Sequence, residues 1–162
     1  MAKGGSLFFN SKTGRMREAL RNPVEVLNSL QNNACKESYH YERLYRNLYN
    51  PEFYLAAYQR IYAGEGNMTA GTDGKTIDGM SMQRIQGLID SLKNHSYKPQ
   101  PARRQYIRKK NGKMRPLGIP SFEDKLVQEI VRMMLESIYE PTFSNYSHGF
   151  RPDRSCHTAL LQ

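Results

Sequence analysis

Apolar residues recur at helical spacing through most of the chain, and one stretch departs from that spacing. Asn22-Pro23 reads as a cap followed by a first-turn proline, and Val24, Leu27 and Leu30 then repeat at helical spacing until Asn32-Asn33. Tyr41, Leu44, Tyr45 and Leu48 predict a second amphipathic helix, starting at Lys36 and ending at Tyr49. The cap chemistry repeats at Asn50-Pro51, where Phe53, Leu55, Ala56, Tyr58 and Ile61 predict a third helix reaching Ala63. Three helices therefore precede any strand. Ser81 caps a fourth, with Ile85, Leu88, Ile89 and Leu92 on one face, ending near Asn94 to Ser96. Ser121 with Asp124 is a capping-box-like start for the longest and most apolar helix, whose Leu126, Val127, Ile130, Val131, Met134, Leu135 and Ile138 predict the centre of the core. Met133 and Met134 read as packing filler, and Pro141 ends the helix. A last helix opens near Asp153 or Ser155 with Cys156, Ala159, Leu160 and Leu161. That unfinished stripe reads as a truncated chain, and its exposure predicts a homodimer.

The exception runs from Lys98 to Pro120 and reads as a basic β-ribbon. Asn111-Gly112 tolerates positive φ at both central positions of a type I′ turn, and Arg103 to Lys109 and Lys113 to Ile119 flank it as strands. Pro99, Pro101, Pro116 and Pro120 bracket this ribbon and blunt its edges. The predicted class is α+β, helix-rich around one central basic antiparallel β-hairpin.

Charge sharpens that picture. Between Asp90 and Glu123 there is no acidic residue, yet there are nine basic ones: Lys93, Lys98, Arg103, Arg104, Arg108, Lys109, Lys110, Lys113 and Arg115. The run alone matches the formal net charge of +9. Such a run is either a solvated basic face or a polyanion site. The predicted turn sets Arg108 to Lys110 against Lys113 to Arg115, at a cost of roughly 0.2 to 1 kcal/mol per opposed like-charge pair, which an anion would relieve. Residues 1 to 21 carry five basic residues and one acidic one around the apolar patch Leu7 to Phe9, and read as a mobile basic arm.

Length and composition set outer bounds. The 162 residues suffice for one substantial core, and eleven Tyr against six Phe and no Trp give many rings a polar tip, suited to half-buried or nucleic-acid-facing positions. No stretch approaches a membrane span or a secretory signal, so a soluble cytoplasmic protein is expected. Cys35 and Cys156 lie far apart and read as reduced thiols. The loop 64 to 79 holds five glycines, a composition that cradles phosphates through backbone N–H groups or simply connects two elements; it lacks the Gly-Lys-Ser/Thr ending of a nucleotide P-loop. His148 and His157 have no third ligand or carboxylate pair at usable spacing, so no metal site is expected. Arg151 and Arg154 suit nucleic-acid phosphates or structural carboxylates.

The runs RRQYIRKKNGKMRPLGIPSFEDKLVQE and LESIYEPTFSNYSHGFRPDRSCHTAL closely resemble the fingers region of group II intron-encoded reverse transcriptases, also called maturases, especially those of the lactococcal type. MRPLGIP at 114 to 120, the helix after it, and HGFRP with RSCHTAL at 148 to 160 occur in the family's order, and the resemblance covers about Tyr41 to Gln162. It implies a basic amino-terminal extension over 1 to 35 and the fingers part of a polymerase domain over 36 to 162, cut before the palm aspartates. The parent would be an RNA-directed DNA polymerase, bacterial and cytoplasmic, that also assists intron splicing and mobility.

Polymerases of that family use two Mg2+ ions held by aspartates. Asp73, Asp78, Asp90, Asp124 and Asp153 form no carboxylate pair in sequence, so neither bound Mg2+ nor catalysis is expected of this fragment. Lys109 and Arg115 match the two family residues that hold the incoming triphosphate. Gly64, Gly66, Asn67, Thr69 and Gly71 fall in the family's loop over the template. Arg103, Arg104, Arg108, Lys110, Lys113 and Arg151 would serve template backbone or intron RNA. The implied partners are group II intron RNA, an RNA template with DNA primer, and dNTP in the full-length protein. A stand-alone basic RNA-binding or RNA-chaperone module without enzymatic activity is the alternative. A membrane-surface role is weaker, because the charge lies on a hairpin rather than an amphipathic helix.

Overall fold

The structure is a computed structural model and describes residues 21–161. The basic arm read over residues 1 to 21 therefore lies outside the described residues, Arg21 excepted. The elements are α1 (Pro23–Asn33), a 3-10 turn (Leu44–Tyr49), α2 (Pro51–Tyr62), a second 3-10 turn (Ile77–Gly79), α3 (Met82–Lys93), β1 (Arg103–Arg108), β2 (Met114–Ile119), α4 (Phe122–Tyr139), a third 3-10 turn (Glu140–Thr142) and α5 (Cys156–Leu160). This is α+β with one two-stranded antiparallel sheet among the described residues.

Local chemistry explains the helix starts. Asn22 accepts from the Val24 N–H at 2.9 Å and Asn50 from the Glu52 N–H at 3.0 Å, each ahead of a proline that has no N–H to satisfy. Ser81 accepts from the Arg84 N–H and Ser121 from the Asp124 N–H. The helix predicted over Lys36 to Tyr49 is corrected: only Leu44–Tyr49 is helical, and as a 3-10 turn. Two tyrosine hydroxyls direct the chain here, Tyr41 donating to the Leu30 carbonyl at 3.0 Å and Tyr45 to the Leu92 carbonyl at 3.2 Å. Between them Arg43 takes a left-handed φ of 57°, which ends any continuous helix.

Helix α4 is the axis of the core. Phe122, Leu126, Ile130, Met133 and Met134 pack with Phe53, Tyr54 and Ala57 of α2 and with Ile85, Leu88, Ile89 and Leu92 of α3. Both methionines are buried as filler, whereas Leu135 is exposed on the opposite side. Tyr54 is fully buried because its hydroxyl donates to the Leu48 carbonyl at 2.8 Å. Val26, Leu27 and Leu30 of α1 also pack on this core, so no gap in packing marks the boundary drawn at residue 35. No helix among the described residues is long and apolar enough to cross a membrane.

The hairpin turn differs from the type I′ expected at Asn111-Gly112. Lys109 stands opposite Lys113, its N–H donating to the Lys113 carbonyl at 2.8 Å, while the Gly112 N–H donates to the Lys109 carbonyl at 3.0 Å. Only Gly112 in the turn has positive φ, +79°. This is a three-residue loop, a type I turn closed by a left-handed glycine bulge. The bulge shifts register by one residue relative to type I′: Arg108 pairs with Met114 and Ile107 with Arg115. The expected opposition of Arg108 to Lys110 with Lys113 to Arg115 therefore shrinks to Lys109 against Lys113.

The glycine-rich loop is seated rather than free. A Cβ on Gly71 would lie 2.7 Å from the Ser121 Cα and 2.9 Å from the Pro120 carbonyl oxygen, so only glycine lets this backbone pass against the start of α4. Gly71→Ala is expected to lower stability by about 1 to 3 kcal/mol through backbone overpacking. Gly87→Ala, within α3 where an added Cβ meets nothing within 4 Å, should instead raise it by about 0.5 to 1 kcal/mol. Chemical denaturation of both variants checks the pair.

Candidate nucleic-acid interface

Alternation along β1 and β2 sorts the ribbon into two faces. Arg103, Gln105, Ile107 and Lys109 share one face with Lys113, Arg115, Leu117 and Ile119; Arg104, Tyr106 and Arg108 share the other with Met114, Pro116 and Gly118. Pro116 sits opposite Tyr106, three places along the ladder from the bonded pair Lys109–Lys113, at a non-bonded position where its missing N–H costs nothing. The bulge has a chemical consequence. In a type I′ register Lys109 and Arg115 would point to opposite faces, whereas here they are diagonal neighbours on one face, about 7 to 8 Å apart by ordinary sheet geometry.

All seven cations of the ribbon, Arg103, Arg104, Arg108, Lys109, Lys110, Lys113 and Arg115, are exposed. Among the described residues none of them has an ion-pair partner. The ion pairs among the described residues lie on the helical body: Arg60 and Arg132 with Glu129 and Glu136, Lys75 and Arg84 with Glu123, and Arg151 with Glu140. The ribbon is a dense strip of positive charge with no acid in its own sequence.

Its foot is fixed by one buried carboxylate. Asp124, 2% exposed, accepts from the Tyr97 hydroxyl, from the Gln100 N–H at 3.0 Å and from the Ser121 hydroxyl at 2.7 Å. These bonds tie the segment entering β1 to the start of α4, which follows β2. Burial, and next the hydrogen bond to Asp124 and its negative charge, hold the Tyr97 hydroxyl well above the usual tyrosine range. Beside this tie the Lys125 ammonium donates to the Thr69 carbonyl at 2.9 Å, and the Thr72 hydroxyl donates to the Pro101 carbonyl at 2.9 Å. Burial and then nearby Arg103 lower the Lys125 pKa, against an opposing pull from Asp73. Ile119 is buried, so the face it shares with Arg103 turns toward the body of the protein at the ribbon foot.

The other residues singled out in sequence fall in different settings. Gly64 and Asn67 close the end of α2, the Asn67 amide donating to the Tyr62 carbonyl at 2.8 Å, and Gly66 turns the chain at φ +75°. Thr69 holds Lys125 and Gly71 is buried against Ser121, so these two meet the ribbon foot while the first three lie along the loop leading to it. Arg151 realises the structural-carboxylate alternative: it binds Glu140 at 2.8 Å, donates to the Ser144 and Ser147 carbonyls and stacks on Phe143. No three His, Cys, Asp or Glu side chains converge as a metal centre among the described residues. Asp124 is enclosed by its own donors and is not open to a Mg2+ ion. Two residues were passed over in the sequence. Lys125 was hidden beside a cap, but Tyr106 lies midway in Arg104-x-Tyr106-x-Arg108, whose period of two would have revealed it.

No family model matches the chain. The group II intron-encoded protein LtrA of Lactococcus lactis subsp. cremoris is 59% identical over 121 residues, 74% of this chain and 20% of LtrA. An uncharacterized 91 kDa protein in the cob intron of Schizosaccharomyces pombe is 45% identical over 159 residues, 94% of this chain and 19% of that protein. The mitochondrial nuclear intron maturase 1 of Arabidopsis thaliana is 49% identical over 41 residues, 25% of this chain and 6% of its own. The chain spans about a fifth of the length of the first two.

The tie at Asp124 has a pH signature. Below pH 10 Tyr97 is protonated in both states and its bond stabilises the fold fully; above pH 10 the unfolded chain releases a proton that the folded chain retains, so stability falls as pH rises toward the raised folded value. Tyr97→Phe is expected to cost about 1 to 3 kcal/mol at neutral pH, because buried Asp124 loses a donor, and to flatten the alkaline fall. Denaturant melts between about pH 7 and 11.5 measure both effects.

Proposed function

The chain is a homologue of group II intron-encoded proteins, and we propose that it serves in such a protein as the fingers part of an RNA-directed DNA polymerase that is also a maturase, acting in a bacterial cytoplasm. The observation that carries this reading is the convergence of Lys109 and Arg115 on one exposed ribbon face, with no acidic partner, in a chain 59% identical to an intron-encoded protein over 121 residues. A lysine point charge and a planar arginine fork on adjacent strands neutralise a polyphosphate as it loses pyrophosphate. Lys109 and Arg115 are thus assigned to the triphosphate of an incoming dNTP.

Arg103, Lys113 and Lys110, with Arg104 and Arg108 behind them, supply charge for template backbone and group II intron RNA. The loop from Gly64 through Gly66, Asn67, Thr69 and Gly71 reaches the ribbon foot, and Lys125 fixes its end to α4, which suits a loop that tracks the template strand. The Mg2+ ions of such a polymerase would be held by residues outside those described here. On this division of labour the chain grips RNA and does not react.

Two experiments test it. Primer extension with the chain alone should give no templated synthesis; templated synthesis would overturn the assignment. Binding to a structured group II intron RNA should show a log–log salt slope of about −4 to −5 if six phosphates are neutralised. Deleting residues 1 to 21 is expected to flatten that slope, while Lys109→Ala and Arg115→Ala leave it nearly unchanged. Point changes that flatten it as much as the deletion would make the ribbon a general RNA surface and favour the stand-alone binding module.

A further inference from the structure

In the foregoing division of labour the ribbon face opposite Lys109 and Arg115 contributes only the charge of Arg104 and Arg108, and the side chains between them have no role. Its centre is Tyr106, 54% exposed, beside Met114, 55% exposed, and Pro116 directly opposite the ring. Arg104 and Arg108 stand on the same face two residues before and two after Tyr106, about 6.6 to 6.8 Å along the strand in each direction. Neither arginine has an ion-pair partner among the described residues, and no acidic residue occurs between Asp90 and Glu123 to supply one. Tyr106, Met114 and Pro116 form one patch flanked by two guanidinium groups without ion-pair partners, a composition that suits a ligand carrying both a flat apolar face and negative charge.

We infer that this outer face is a stacking platform for single-stranded RNA, in which an unpaired base lies on Tyr106 and Met114 while Arg104 and Arg108 neutralise the phosphates on either side. The fit is one of chemistry and spacing. Every base presents a π-face to an aromatic ring, and alternate residues of a strand place a cation on each side of the stacked nucleotide. A paired base in a duplex has no free face to offer, so the platform selects unpaired segments. The inference rests on the RNA-binding reading above and deepens it: the two faces of one ribbon hold different parts of the ligand, triphosphate on the Lys109–Arg115 face and an unpaired RNA segment on the Tyr106 face.

The test compares a fluorescein-labelled 12-nucleotide single-stranded RNA with the same sequence as a duplex, by anisotropy across a salt series, using the whole chain. Tyr106→Ala should weaken single-strand binding roughly five- to a hundred-fold without changing the salt slope, and leave duplex binding unchanged. Tyr106→Phe should bind as wild type. Arg104→Ala and Arg108→Ala should each make the single-strand slope shallower by about 0.7. The ring is exposed, so its removal leaves the core intact, and a thermal melt compared with wild type checks this. If wild type binds RNA with a salt-dependent affinity but Tyr106→Ala binds single strands within twofold of it, or loses duplex binding equally, the outer-face platform is overturned while the proposed function stands. If wild type shows no salt-dependent RNA binding at all, both fall.

Discussion

The position of everything functional in this molecule depends on one buried carboxylate. Asp124 sits in the first turn of α4, where the helix dipole already favours an anion, and takes donors from Tyr97, Gln100 and Ser121. Two of those donors belong to the segment that leads into β1, and the third to the residue that joins β2 to α4. A two-stranded ribbon is marginal on its own in water. Both of its ends are therefore clamped to the longest helix of the core, where Phe122, Leu126 and Ile130 are almost wholly buried. Gly71 and Lys125 add the glycine-rich loop to the same junction.

Rigidity at the foot gives the charge on the ribbon its meaning. Seven cations on a floppy tail would be a diffuse counterion sponge, whereas on a clamped ribbon they have fixed spacing and fixed faces. The ion pairs lie elsewhere: Glu129 and Glu136 with Arg60 and Arg132, Glu123 with Lys75 and Arg84, Glu140 with Arg151. The seven ribbon cations have no such acid beside them, and a polyanion can complete them. The repulsion of Lys109 and Lys113 across the strands is a small standing cost, tolerated at the exposed tip where water screens it.

Much of this was legible along the chain, and the failures have a common physical cause. The caps at Asn22, Asn50, Ser81 and Ser121 are local chemistry, so they and their helices could be read directly. The segment 36 to 43 could not, because its path is set by Tyr41 and Tyr45 reaching carbonyls far away in sequence. Asn-Gly signalled the hairpin but not its turn: the dipeptide suits type I′ and also the type I turn with a glycine bulge, and one residue of register decides which side chains share a face. The cations of the site were therefore readable as a set, while their division into two faces was not. Asp124 was recognised as a cap residue, but its long-range donors Tyr97 and Gln100 left no local trace.

The central claim is that a clamped, unneutralised ribbon, rather than the charged surface of the helical body, is where this protein meets RNA. Amide NMR of the 15N-labelled chain titrated with RNA addresses it most directly. The account predicts shift changes concentrated in residues 103 to 119, 69 to 75 and the basic segment 1 to 21, with Arg60, Glu129, Arg132 and Glu136 undisturbed. Changes centred on that last group, or spread evenly over the surface with the ribbon no more affected than the rest, would contradict it.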